Sequence, residues 1–317
     1  LLGHGGDTIF FHTELDLLPA DGVGIFYSFN SRGRDQAVYG LRKAVLDQFM
    51  NRYFPARSTA ALPAAPGSAV ADAGKIAGRY ESSRRIEHGF LSVFYLLQQT
   101  VIGANPDGSI SAPNELEPGQ ARFREVAPDV WHEIDGTRQL ALRDISGLKT
   151  VMDSEDPTSV LQEVPVSRSA PLNLTILVGS FLVLAGAVLL WPVSYLVRRH
   201  YRPAAQPVET QRLRILLRSA AAFDVIWLIA WAAVLTPALS VQLDFYSTAH
   251  DPLVRTLQIA GLAVIALAVA GIWSVWRLFR SERSWPSRIG NGLIGAALVG
   301  LVWVGLIGGL LGFDLNY

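Results

Sequence analysis

Residues 11–17 alternate in polarity, with Phe11, Thr13, Leu15 and Leu17 on one face and His12, Glu14 and Asp16 on the other, the period of a half-buried strand. Pro19-Ala20-Asp21-Gly22 supplies turn chemistry, and Val23, Ile25, Tyr27 and Phe29 begin a second alternation, so a hairpin is predicted. The period then becomes helical. Val38, Leu41, Val45, Leu46 and Phe49 fall on one stripe, Asp35 is placed to cap the helix, and Pro55 closes it. Residues 55–73 are rich in Ala and Pro without an apolar period and read as a linker. From 74 to about 170, short alternating runs such as VWHEI, RQLALR and LKTVM are separated by turns at Asn105-Pro106-Asp107-Gly108, Glu117-Pro118-Gly119, Asp135-Gly136 and Ser146-Gly147. They predict an antiparallel β-meander, or its closure into a lipocalin-like barrel that hides the strand edges. The last part, 171–317, is different in kind. Its stretches 172–197, 216–238, 256–276 and 289–313 each reach the ~20 residues needed to cross a bilayer, and only the second carries charge, at Arg218 and Asp224. An all-α four-helix transmembrane bundle is predicted.

With 317 residues the chain has room for more than one domain, and its formal net charge of zero gives no footprint for nucleic acid. What matters is where the charge lies. Arg198, Arg199, Arg202, Arg212, Arg214 and Arg218 cluster between the first two spans. Arg277, Arg280, Arg283 and Arg288 cluster between the last two, whereas residues 242–255 hold Arg255 with Asp244 and Asp251. The positive-inside rule places loops 198–218 and 277–288 in the cytoplasm and the soluble parts outside, as in a multi-pass protein of a bacterial inner membrane. The chain has no cysteine, which removes disulfides and thiolate chemistry. Because it opens at Leu1 inside an apparent strand, it is expected to be the C-terminal part of a longer protein.

Gly3-His4-Gly5-Gly6-Asp7, followed by the hairpin FHTELDLLPADGVGIFYSFNS and an amphipathic helix, resembles the C-terminal end of the serine hydrolases that include class C β-lactamases, penicillin-binding proteins, D-aminopeptidases and related esterases. The likeness covers residues 1–54. It implies that this part closes an α/β serine β-lactamase-like domain, with His4-Gly5-Gly6 as the family's third motif lining the cleft. It also implies that the backbone N–H of Asp7 is one oxyanion donor, the second being the nucleophile's own N–H; one such donor is worth about 10²- to 10³-fold in turnover. Glycine there leaves the strand backbone bare, so an acyl group can lie against it as an added strand does. His4 stands where the β-lactamases usually have Lys, which points toward a peptide, amide or ester substrate. The family's S-x-x-K nucleophile and base, and its Y-x-N tyrosine, are expected upstream of Leu1, so the chain alone is expected to be inactive.

Ser146-Gly147-Leu148-Lys149 matches S-x-x-K but falls on a predicted hairpin turn, and Tyr27-Ser28-Phe29-Asn30 has the wrong spacing for Y-x-N. His132-Glu133 lacks the second His that a helical zinc site needs, so neither metal nor cofactor is expected. His12 beside Glu14 reads as a surface pair, with a place lining the cleft as the alternative. Asp224, about eight residues into its span, reads as a protonated or hydrogen-bonded helix contact or as one reaching toward Arg218. Trp191, Trp273, Trp276, Trp285 and Tyr195 are placed as interfacial belt residues. Gly305-x-x-x-Gly309 and Gly308-x-x-x-Gly312 allow close helix approach, used either within the bundle or in a homo-oligomer. The expected function is a membrane-anchored, outward-facing serine hydrolase whose partners are its substrate and the bilayer. The alternative is a non-enzymatic membrane protein whose β-domain binds a ligand or partner.

Overall fold

The computed structural model describes all residues except 9, 56–65, 114–118, 157, 202–206, 240–246, 282–283 and 316–317, and the side chains of Asp35 and Arg198. Most of the linker, Glu117 and Pro118, and Arg202, Asp244 and Arg283 therefore lie outside the described residues. The chain divides into two compact units, 1–78 with 100–160 and 79–99 with 161–317.

The predicted hairpin forms, and the strand expected at the start of the chain pairs with it. Strands β1 (Leu2–Asp7), β2 (His12–Leu18) and β3 (Val23–Phe29) make an antiparallel sheet in that order, with His4 opposite Leu15 and Leu15 opposite Phe26. Gly22, at φ +63°, takes the left-handed position of the β2–β3 turn. Helix α1 (Val38–Tyr53) follows with Ala37 at its N-cap position, and the Asp35 side chain expected to cap it lies outside the described residues. A single 3-10 turn, Arg34–Gln36, precedes it, and backbone serves its first N–H groups: Ala37 N–H donates to Arg34 O of that turn and Val38 N–H to Arg32 O before it. The stripe is corrected. Leu41 is exposed, and the buried residues of α1 are Val38 and Arg42.

The linker also ends earlier than expected, because Ala69–Ile76 is a helix, α2, burying Ala69, Ala73 and Ile76 at helical spacing. Alanine, the best helix former, carries it despite the flanking prolines. The meander closes into an eight-stranded barrel of β4 (Gly78–Ser82), β5 (Thr100–Ala104), β6 (Ile110–Pro113), β7 (Gln120–Ala127), β8 (Val130–Glu133), β9 (Gln139–Ile145), β10 (Leu148–Asp153) and β11 (Val160–Glu163). The order is β10-β11-β4-β5-β6-β7-β8-β9, so neighbours in sequence are neighbours in space and the last strand meets the first. Ile102, Ile110, Phe123, Trp131, Leu140 and Val151 are buried, giving the side-chain-filled interior of a small barrel. Arg138 is buried as well; its Nε donates to Asp153 Oδ2 (2.8 Å) and its Nη1 to Pro113 O (2.8 Å).

In the second unit four long apolar helices have the length and composition to cross a membrane: α3 (Ala170–Tyr201), α4 (Val208–Leu239), α5 (Asp251–Ser281) and α6 (Trp285–Ile307). A 3-10 segment, Phe90–Leu96, packs Phe90, Val93 and Leu96 with Trp227, Trp231 and Leu257. Trp227 Nε1 donates to Leu257 O (2.9 Å). The fourth span is shorter than 289–313. The helix stops at Ile307, Gly309 turns at φ +72°, and Leu310 and Leu311 fold back into the core. Gly309 and Gly312 are therefore outside the helix, and a Cβ on Gly305 would meet Leu311 of the same chain at 3.0 Å.

Candidate functional site

The sheet β1-β2-β3 has two unlike faces. Gly3, Gly5 and Asp7 share one with Asp16, Glu14 and His12, their cross-strand partners, and α1 supplies Arg42 to it. Leu2, His4 and Gly6 share the other with Leu15, Leu17 and Phe26. The covered face is the polar one. His12 is fully buried and its Nδ1 lies 2.6 Å from Asp7 Oδ1, so the expected surface pair of His12 with Glu14 is corrected. The reason is Arg42. Its Nη1 donates to Thr13 O (2.8 Å), its Nη2 to Asp7 Oδ2 (3.3 Å), and Glu14 Oε2 stands 3.7 Å from Nη1, so the helix brings a cation onto a carboxylate-bearing strand face. Tyr27 OH donates to Arg42 O (2.9 Å), and Tyr39 packs its ring edge-on to His12.

Burial sets the electrostatics. It raises Glu14 above the usual carboxylate range against the opposing pull of Arg42, and it raises Asp16, whose Oδ2 has no hydrogen-bond partner among the described residues. Tyr27 is pushed up to about 12, first by burial and then by the negative charges of Glu14 and Asp16. The glycines have a packing role that the sequence does not announce. A Cβ on Gly5 would sit 3.2 Å from Glu14 Oε2 and 3.3 Å from Arg42 Nη1, and one on Gly6 would sit 2.6 Å from Thr13 Oγ1.

The hydrogen-bonding sense of β1 follows from its turn. Thr8 N–H donates to Phe11 O (2.8 Å), which makes Thr8 and Phe11 a hydrogen-bonded pair. Antiparallel pairs alternate, so Asp7–His12 and Gly5–Glu14 are non-bonded pairs whose N–H and C=O groups point away from β2. Among the described residues no strand lies on that side of β1. The result is an open edge that presents the N–H groups of Gly5 and Asp7, while His12 and Arg42 hold the Asp7 side chain on the covered face. His4 is exposed on the apolar face beside Leu15. His4, Gly5, Gly6 and Asp7 are thus consecutive on one edge strand. Sequence reasoning missed Arg42, although its place one turn after Val38 on an apolar stripe is the signal that marks it.

The remaining candidates separate from this cluster. Ser146 (φ +57°) and Gly147 (φ +80°) form the β9–β10 turn, and Lys149 Nζ donates to Ala77 O (3.3 Å). His132 lies on β8 with Nδ1 2.8 Å from Glu133 O. Asp224 is fully buried in α4, and neither of its oxygens has a hydrogen-bond partner among the described residues, so the expected contact with Arg218 is not made. Arg218 instead lies 5.9 Å from the Trp191 ring, and Arg277, Arg280 and Arg288 pair likewise with Trp273, Trp276 and Trp285. Comparison of the chain with protein-family models, with curated proteins and with solved structures finds no match.

Proposed function

We propose that residues 1–54 close the catalytic domain of a membrane-anchored serine hydrolase related to the β-lactamases, acting on a peptide, amide or ester. The observation that carries the reading is the open edge of β1, where Gly5 and Asp7 turn unpaired N–H groups outward beside backbone that bears no side chains. An acyl group laid along that edge gains strand-like hydrogen bonds, and the carbonyl oxygen that becomes negative on attack meets the Asp7 N–H. The exposed apolar face of the same sheet, with Leu2, Leu15, Leu17 and Phe26, supports it further, because a sheet in an α/β domain is covered on both sides. The serine that forms the acyl-enzyme and the lysine that takes its proton belong to an S-x-x-K helix outside residues 1–317. The four spans hold the domain at a bacterial inner membrane with its soluble parts outside.

The test uses the protein together with the sequence that precedes Leu1. A fluorophosphonate probe is expected to label one serine, followed three residues later by lysine, and the label disappears when that serine is changed to alanine. Residues 1–317 alone take no label. A preceding sequence without a serine-lysine pair, or a pair that stays unlabelled, overturns the reading in favour of a non-catalytic membrane protein.

A further inference from the structure

At the arginine-rich end of the bundle the helices leave a groove of about 530 Å³ between α3 and α6, floored by Leu217 of α4. Its mouth is polar: Arg214, Arg218, Ser194, Ser287 and Asn291 line it, and Arg214 Nη2 donates to Ser287 Oγ (2.9 Å). Its walls are apolar, with Leu182, Val183, Leu190 and Ile294. A second groove of about 500 Å³ continues along the same two helices, sharing Val183 and Leu293 with the first and running past Ala296 and Gly300 to Trp303. From Ser287 to Gly300 is ~20 Å at 1.5 Å per residue. One leaflet of hydrocarbon is about 15 Å deep, half the ~30 Å core. Gly186 and Gly290 border the first groove, and Gly179 the second; a Cβ built on any of the three meets no atom within 4 Å. At these three positions the groove is open, whereas at Gly300 an added Cβ would lie 2.5 Å from Ser180 Oγ, where α3 and α6 pack closely.

We propose that this channel binds one anionic phospholipid of the surrounding bilayer, its phosphate between Arg214 and Arg218 and one acyl chain along α3 and α6. Arg214, bonded to Ser287, and Arg218, over the Trp191 ring, are four residues apart on α4 and both line the groove, so they bring two positive charges to one phosphodiester, with Ser194 and Asn291 as further polar groups at the mouth. The apolar continuation matches the chain, which free phosphate lacks. Basic pockets between membrane helices are a general means of holding acidic headgroups. The inference stands apart from the hydrolase reading and uses none of its residues.

Native mass spectrometry of the full chain, purified from vesicles of equal phosphatidylglycerol and phosphatidylcholine, tests it. Wild type is expected to retain one phosphatidylglycerol at least ten-fold over phosphatidylcholine. R214Q/R218Q abolishes the preference, whereas R212Q, which changes an exposed arginine outside the groove, keeps it. G186L places a side chain in the open channel and lowers retention about ten-fold with both arginines intact. Equal retention of the two lipids, unchanged retention in G186L, or displacement of the lipid by millimolar inorganic phosphate overturns the proposal. Should the double arginine variant fail to fold, G186L decides alone.

Discussion

A carboxylate buried beside a cation is held by it only as far as geometry permits, and the sheet of β1–β3 contains both outcomes. Arg42 is shared among Asp7, Glu14 and Thr13 O, whereas Asp16 is 3% exposed with an oxygen that has no partner among the described residues. Its burial raises its pKa, so the folded chain binds the Asp16 proton more tightly than the unfolded chain does. The sign follows: Asp16 costs nothing below its ordinary value, and stability falls as pH rises through that value toward the raised one. Asp16→Asn is therefore expected to match wild type near pH 3 and to exceed it at pH 7. Hydrogen exchange of the β1–β3 amides, corrected for intrinsic rates, measures the difference; a variant no more protected at pH 7 refutes it. The same residues show what alternation conveys. His12, Glu14 and Asp16 were separable from Leu15 and Leu17 by period alone, but period does not say which face is covered. That depends on Arg42, a helix away, which makes the polar face the buried one.

Elements were legible wherever length or turn chemistry constrains them strongly. The four spans follow from the thickness of a bilayer and the barrel strands from their turns, and the hairpin lies where Pro19 to Gly22 predicts it. Ends and short helices were less legible. Hydrophobicity continues from 289 to 313, yet α6 ends at Ile307, because Gly309 takes a left-handed φ and the carbonyl of Gly89 comes so close that a Cβ there would lie 2.3 Å from it. Such a stop is set by a backbone 220 residues away in sequence (309 minus 89), which no local pattern contains. Gly309→Ala is expected to cost at least ~1 kcal/mol from the left-handed conformation alone. The clash with Gly89 adds to that, loosening Phe90–Leu96 from Trp227 and Trp231. The readouts are a lower Tm and faster exchange in residues 89–97. Gly312→Ala is the control, since its Cβ meets nothing nearer than 3.5 Å and its effect should be small. If the two variants melt alike, the close approach does not fix the end of α6.

For the molecule as a whole, the asymmetry of arginine decides more than the neutral total does. Arg199, Arg212, Arg214 and Arg218 lie on one end of the α3–α4 pair and Arg277, Arg280 and Arg288 on one end of the α5–α6 pair, several stacked on tryptophans that suit a membrane interface. An even number of crossings returns the chain to the side from which α3 departs, so the barrel strands and the residues after α6 are expected on the face opposite these arginines. Because the sequence has no cysteine, single introduced thiols report this without background. Asp135→Cys, on the exposed β8–β9 turn, should react with a membrane-impermeant maleimide added to the face opposite the arginines. Arg199→Cys, exposed near the end of α3, should react only after the membrane is opened. The reverse pattern would put the arginines outside and the barrel strands inside, against the proposed extracytoplasmic placement of β1. Labelling of both positions in intact spheroplasts would mean that α3 does not cross.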